Sequence, residues 1–268
     1  MHSTLNKPIA LGRTAEVYAW QDASVLKLYY DWCPPQWVEN ESKAAHAVVM
    51  AGIPTPSAKE IIEINGRRGI VYERVMGISM LQDMNVRPWM ILRHARTLAE
   101  LHVKVNQLSV SGLYSFKNGM EDALRNAPHL SADLRASLLD RLPALPDGDK
   151  LCHGDFHPGN VMLTNAGPVV IDWMTASIGN PWADFTRTSL LLTIGPKAAG
   201  NLLSPPMRMF IQIFYHTYAQ HYIKLLPDLQ NERQKWIPLV AAARLNERIE
   251  RETQALVEMV KRGVDPKL

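Results

Sequence analysis

The feature that most constrains this chain is a change of hydrophobic period near residue 77. Up to Glu73 the apolar residues alternate in short runs, and from Met80 onward they recur at helical spacing. The first part reads as strands at Ile9-Ala10-Leu11, Glu16 to Trp20 and Val25 to Tyr29, then a helix opening at Pro34-Pro35, then strands at Ile61 to Ile64 and Gly69 to Glu73. Asn65-Gly66 between the last two runs is a strong hairpin signal. Residues 1–76 are therefore expected to form a five-stranded, mostly antiparallel sheet with one main helix. Gly77 marks a hinge, and residues 77–268 form a mostly helical second lobe. The fold class is α+β.

Lys27 stands in the middle of an otherwise apolar strand, where an ammonium needs an exit to solvent or a negative partner. The next helix offers one. Its stripe Val38, Glu41, Ala45, Val48 and Val49 follows helical spacing, which puts Glu41 on the inward side and Glu39 on the outer one. A Lys27–Glu41 ion pair follows, with a lysine so held able to reach nucleotide phosphates; two unrelated charges at lobe edges is the plainer alternative. The turn Gly12-Arg13-Thr14-Ala15 has two readings as well. Its backbone N–H groups and the Thr14 hydroxyl can cover phosphates, or it is an ordinary hairpin turn.

In the second part, Pro88 opens a helix with the stripe Ile91, Ala95, Leu98, His102 and Val105, which makes His102 a hydrogen-bonded core histidine. Shorter helices are expected over Met120–Ala127 and Ser131–Leu142. Asn180-Pro181 reads as a helix cap, with Asp184 in the first turn either bonding loop backbone or serving the helix dipole. The tail is helical over about Pro206–Lys224, Gln230–Asn246 and on to Lys261. Leu245, Ile249, Leu256 and Val260 form its apolar stripe, and Glu247 with Arg251 a surface pair.

Between these helices lies the chemistry. The run His153-Gly154-Asp155-Phe156-His157-Pro158-Gly159-Asn160 is followed by Asp172 in Val169-Val170-Ile171-Asp172-Trp173, and each turn borders an apolar β-like run. Asp155 can address a substrate hydroxyl, while the Asn160 amide oxygen and the Asp172 carboxylate can hold one metal. Such hard oxygen donors suit Mg²⁺ carrying a nucleotide's phosphates better than zinc.

Composition narrows the remainder. With 47% apolar and 21% charged residues the chain is an ordinary globular protein, and a net charge of +3 does not imply nucleic acid or a membrane surface. The excess lies in residues 200–268, with 10 basic against 7 acidic side chains. Cys33 and Cys152 have no second ligand at metal spacing, and a reduced cytoplasm is expected. Met1–Pro8 lacks the apolar core of a signal peptide, and no run of about 18 apolar residues occurs.

Taken together, the strand lysine, helix glutamate, hinge, Asp-x4-Asn loop and second aspartate are the layout of kinase-like enzymes. The form His153-Gly-Asp155-Phe-His157-Pro-Gly-Asn160 with Ile171-Asp172-Trp173 resembles the aminoglycoside phosphotransferase and choline kinase superfamily. Glu41 eleven residues before Gly52-Ile53-Pro54-Thr55-Pro56, and Leu98-Ala99-Glu100-Leu101-His102, fit the same pattern. The likeness runs from about residue 9 to 190. It implies a bilobal protein kinase-like fold with ATP, or alternatively GTP, and Mg²⁺ as cofactors. Asp155 would accept the hydroxyl's proton, Asn160 and Asp172 would hold Mg²⁺, and Lys27 with Glu41 would steady the α and β phosphates. Tyr72 would back the adenine pocket, with the backbone of Glu73 and Val75 making hinge hydrogen bonds. Met174 replaces the glycine of Asp-Phe-Gly and no Ala-Pro-Glu follows, which argues against a protein-kinase activation loop.

The expected function is transfer of the γ-phosphoryl group to a hydroxyl of a small molecule, with no nucleic-acid or membrane partner, by a monomer or weak dimer. The alternatives are a choline- or sugar-type kinase and a nucleotide-binding regulatory protein without turnover. The last is disfavoured because Lys27, Glu41, Asp155, Asn160 and Asp172 are all present. For the acceptor, an aminoglycoside calls for convergent carboxylates such as Glu247, Glu250 and Asp184, against a basic tail. A choline-type acceptor calls for an aromatic cage. Trp173, Trp182, Tyr215, Tyr218, Tyr222 and Trp236 supply rings, though at helical spacing such rings more often belong to a core.

Overall fold

The computed structural model describes residues 5, 7–21, 23–198, 203–227 and 232–264. Its chain divides into two compact units. One comprises Met1–Met80, Val110–Leu113 and Gly159–Ala176; the other comprises Leu81–Ser109, Tyr114–Pro158 and Ser177–Leu268.

The first unit is built on a five-stranded antiparallel sheet of β1 (Ala10–Leu11), β2 (Ala15–Trp20), β3 (Ser24–Tyr29), β4 (Ala58–Ile64) and β5 (Arg67–Glu73), in the order β1-β2-β3-β5-β4. Asn65 and Gly66 both have positive φ (51° and 79°), the backbone that a two-residue hairpin needs to match strand twist. Period-two alternation sorts the two faces of β3. Leu26 and Leu28 pack with Tyr18 and Val71, while Tyr29 packs with Val38, Ala45, Ile70 and Tyr72 under helix α1 (Pro35–Met50). Helix α1 buries Val38, Glu41, Ala44, Ala45 and Val48. Val49, expected on that stripe, is exposed. The buried stripe includes Ala44 on its other flank instead.

A second, three-stranded sheet in the same unit has the order β6-β8-β9, from β6 (Ile78–Ser79), β8 (Val161–Thr164) and β9 (Gly167–Val170). Gly77 sits against this sheet so closely that a Cβ there would lie 2.2 Å from the Leu163 carbonyl oxygen.

The second unit holds helices α2 (Met80–Val86, from its second residue), α3 (Ile91–Gln107), α4 (Phe116–Arg125), α5 (Ala132–Arg141), α6 (Pro181–Ala198), α7 (Pro205–Leu225), α8 (Arg233–Arg244) and α9 (Glu250–Val264). It also holds the pair β7 (Lys150–Cys152) and β10 (Ser177–Gly179). The expected α3 stripe is buried throughout. Pro88 opens a 3₁₀ turn, and α3 follows it at Ile91. Ser131 caps α5, its side chain accepting from the Leu134 N–H. Helix α4 starts four residues earlier than Met120, where Ser115 accepts from the Asn118 N–H. In the tail, the reading from Gln230 begins outside the described residues, as does Asn231, and α8 ends at Arg244. There a 3₁₀ turn over Leu245–Glu247 and a left-handed Arg248 (φ 52°) break the helix, so Glu247 and Arg251 are not one helical turn apart. Among the described residues no helix is long and apolar enough to cross a membrane.

Candidate active site

In the first unit Lys27 is bound from two sides. Its Nζ donates to Glu41 Oε1 at 2.8 Å and Oε2 at 2.9 Å, and to Asp172 Oδ1 at 2.8 Å. The pairing follows from sequence parity, because Lys27 shares the α1 side of β3 with Tyr29 and Glu41 is on the buried face of α1. Burial alone would lower the lysine pKa, but the Asp172 and Glu41 carboxylates outweigh it and hold the ammonium above its ordinary value. Glu41 is further held by the hydroxyls of Tyr29 and Tyr72, the latter at 3.1 Å. Burial pushes the Glu41 pKa up against the opposing pull of Lys27.

Asn160 and Asp172 are brought together by one hairpin. Asn160 directly precedes β8 and Asp172 follows β9 by two residues, while the Ile171 N–H donates to the Asn160 carbonyl at 3.0 Å across its open end. Asp172 is left-handed (φ 67°), a conformation uncommon for non-glycine residues and several-fold enriched for aspartate. Its side chain is 38% exposed with Oδ1 on Lys27. An amide oxygen and a carboxylate at one end of a hairpin fit Mg²⁺ bound jointly with nucleotide phosphates, since that ion takes one or two protein carboxylates plus phosphate oxygens. No group of three or more His, Cys, Asp or Glu among the described residues offers an all-protein cation cage.

The other nucleotide-facing expectations fall in the same unit. Gly12 N–H donates to the Ala15 carbonyl at 2.8 Å and the Thr14 carbonyl accepts from the Tyr30 N–H at 2.9 Å, forming a tight turn between β1 and β2. Tyr72 is buried with its hydroxyl on Glu41. Glu73 ends β5, its N–H on the Ser57 carbonyl, and Val75 lies in the irregular stretch before β6.

Asp155 belongs to the second unit, on the loop after β7, and that loop is fixed from behind. Asp184, in the first turn of α6 and without solvent exposure, accepts the His153 N–H on Oδ2 and the Gly154 N–H on Oδ1, each at 2.8 Å. Asn106 Nδ2 donates to Asp184 Oδ2 and to the Leu151 carbonyl, both at 2.9 Å. His102 places Nε2 3.0 Å from Asp184 Oδ2 and Nδ1 2.6 Å from the Tyr218 hydroxyl. Asn180 caps α6 through the Trp182 N–H at 2.9 Å. Of the two roles open for Asp184, bonding to loop backbone is thus the observed one, and His102 is a core histidine. His157 Nε2 lies 3.6 Å from Asp155 Oδ2. Burial would raise the Asp155 pKa, yet His157, Arg187 and His153 hold it below the usual carboxylate range.

A model of the phosphotransferase enzyme family matches residues 6–208. The chain belongs to the phosphotransferase enzyme family.

No curated protein sequence matches this family member. Among solved structures it resembles a thermostable mutant of aminoglycoside phosphotransferase APH(4)-Ia in apo form, at 16% identity and a TM-score of 0.63 over 99% of this chain and 95% of that one. It also resembles amicoumacin kinase hAmiN in complex with AMP-PNP, Ca²⁺ and Ami, at 15% identity and a TM-score of 0.56 over 99% and 88%. A choline/ethanolamine kinase family protein from Mesorhizobium loti matches at 16% identity and a TM-score of 0.52 over 98% and 91%. At such identities the likeness is one of fold, the kinase-like fold of the aminoglycoside phosphotransferase and choline kinase superfamily.

Several residues of this phosphotransferase-family chain were not legible as site residues. The Tyr29 and Tyr72 hydroxyls on Glu41 are signalled only by alternation, which puts Lys27 and Tyr29 on one face. Arg187 donates from Nε to the Gly154 carbonyl at 3.0 Å, and its three-residue spacing from Asp184 was the available sign. Among the rings considered for an acceptor cage, Trp173, Trp182, Tyr218, Tyr222 and Trp236 are buried core, and Tyr215 accepts from Arg233 at 2.7 Å. Asp184 is consumed by the loop, and Glu247 pairs with Arg187 and Arg244.

Proposed function

We propose that this chain is an ATP- and Mg²⁺-dependent small-molecule O-kinase that moves the γ-phosphoryl group of the nucleotide to an alcohol. The observation that carries the reading is Lys27 bridging Glu41 and Asp172 at 2.8 Å, which ties a phosphate-binding cation to a metal-binding carboxylate. Bound Mg²⁺ supplies charge neutralisation at the phosphate oxygens. Asn160 and Asp172 hold it. Lys27, kept charged by its two carboxylates, steadies the α and β phosphates, and the Gly12–Thr14 turn covers them. Tyr72 backs the adenine, with the backbones of Glu73 and Val75 as its hydrogen-bond partners.

Asp155, ionised at neutral pH, accepts a hydrogen bond from the acceptor hydroxyl, aims its oxygen along the transfer line and takes the proton as the new O–P bond forms. A loose phosphoryl transition state asks mainly for such positioning and charge balance. The AMP-PNP and Ca²⁺ carried by the amicoumacin kinase complex support a nucleotide with a divalent cation. The proposed setting is the cytoplasm, as a monomer or weak dimer. Two buried free cysteines suit a reducing compartment.

The test is ADP formation with ATP and GTP in parallel, in the presence of Mg²⁺, over a panel of sugars, amino alcohols and aminoglycosides. Turnover on one class, abolished in Asp155→Asn with nucleotide binding intact, is the expected result. Nucleotide-dependent thermal stabilisation with neither transfer nor slow ATP hydrolysis would instead identify a regulatory protein.

A further inference from the structure

Gly154, the residue before Asp155, has its carbonyl held at 3.0 Å by Arg187 Nε on α6. Another nitrogen of the same guanidinium, Nη2, donates to the Glu247 carboxylate from the turn between α8 and α9. Glu247 is itself gripped by Arg244 at 3.2 Å to each oxygen, and Arg244 Nε donates to Glu252 on α9 at 2.7 Å with both side chains buried. An unbroken series of charged groups thus runs from the Asp155 loop into the last two helices. Every tail member lies beyond residue 208, where the match to the family model ends.

We infer that Arg187 and Glu247 are positioning residues for the phosphotransfer proposed above, setting the backbone of the Asp155 loop from the C-terminal helices. The inference rests on that reading of function. Physically, Asp184 fixes the His153 and Gly154 N–H groups, and the following peptide is held at its N–H end by Asp155 N–H donating to His153 Nδ1 at 3.2 Å. Arg187 holds the carbonyl end of that same peptide at Gly154, and Glu247 fixes the guanidinium plane, which a planar fork transmits better than a lysine point charge would. Arg244 and Glu252 keep Glu247 in place without a net charge in the series, Arg187 and Arg244 balancing Glu247 and Glu252. Small misplacement of a catalytic carboxylate is enough to slow transfer by about a hundredfold.

Three variants and a control test this: Arg187→Gln, Arg187→Lys, Glu247→Gln, and Arg125→Gln in the exposed Arg125–Glu121 pair of α4. Expected is a fall in kcat of about tenfold or more in Arg187→Gln, with nucleotide Kd within twofold of wild type. A smaller loss is expected in Arg187→Lys and Glu247→Gln, and none in the control. The double variant Arg187→Gln/Glu247→Gln should be no worse than Arg187→Gln alone, because Glu247 acts through the guanidinium. Amide hydrogen exchange over residues 153–157 should quicken in both single Gln variants while α3 stays protected. That readout needs no acceptor, so a chain inactive on every alcohol would defeat the proposed function and still test this one. Wild-type exchange of the loop in Arg187→Gln, or additive losses in the double variant, would overturn the inference.

Discussion

Asp184 and His102 meet at 3.0 Å with neither side chain reaching solvent. The carboxylate there does three jobs at once, receiving the loop N–H groups of His153 and Gly154, the Asn106 amide and the imidazole.

Burial would raise the Asp184 pKa, but His102, Asn106 and the Gly154 N–H hold it down to about 2 against an ordinary 3.8. A depressed carboxyl stabilises the fold fully above its unfolded pKa and loses that contribution as pH falls through the folded value. The difference corresponds to on the order of 2 kcal/mol, present above about pH 4 and lost toward pH 2. Denaturant melts from pH 5 to 2 should show this slope in the wild type and not in Asp184→Asn. The variant should also be weaker at neutral pH by about 3–5 kcal/mol, since an amide cannot accept both loop N–H groups. Equal acid sensitivity of the two proteins would refute the assignment.

Glu41 accepts Lys27, Tyr29 and Tyr72 on two oxygens. Removing one hydroxyl strips a donor from a buried carboxylate, so Tyr29→Phe and Tyr72→Phe should each lose about 1–3 kcal/mol of stability in denaturant unfolding. Because both act on one group, the double variant should depart from additivity by at least about 0.5 kcal/mol. Strict additivity would mean that the hydroxyls do not share the carboxylate.

Asp172→Asn keeps the shape but removes the one carboxylate of the proposed metal site, since the Asn160 amide is neutral. Titration calorimetry with ADP should show Mg²⁺ improving affinity in the wild type and having little effect in the variant, while metal-free affinity is retained. An undiminished Mg²⁺ effect in Asp172→Asn would remove this residue from the metal site.

At Gly77 an added Cβ meets the Leu163 carbonyl oxygen at 2.2 Å, whereas at Gly66 nothing lies within 4 Å although φ is +79°. Gly77→Ala must push strand backbone apart and should cost about 3 kcal/mol. Gly66→Ala should cost about 1 kcal/mol, from backbone conformation alone. The ranking is read from thermal melts, and the reverse order would show that β6 does not pack as described.

What could be read from the sequence was what repeats locally. Alternation placed Lys27 inward, helical spacing placed Glu41 opposite it, and Asn65-Gly66 fixed a hairpin register. Val49 follows the spacing yet is exposed because spacing gives the centre of a stripe and not its edges, and the buried edge lies on the Ala44 side. Glu247 was misjudged for a different reason. Its helix breaks at Arg248, where no glycine or proline announces the stop, and its partners Arg187 and Arg244 become neighbours only through folding. The aromatic residues of α6 to α8 carry no local mark separating core from cage, and burial alone resolves them.

The hairpin β8–β9 carries both Asn160 and Asp172 at its open end, one beside each strand, with its tip at Asn165-Ala166 beyond the four-residue strands. In the proposed metal-binding role it would work like tweezers. Strand pairing sets the gap between the gripping points, and the joined end is free to vary. Thr164 already closes that end privately, its Oγ1 donating to the Gly167 carbonyl at 2.8 Å and accepting from the Ala166 N–H at 3.1 Å. Residues added between Asn165 and Ala166 should leave metal binding untouched. Deleting a single residue within either strand would turn one of the two grips away from the other.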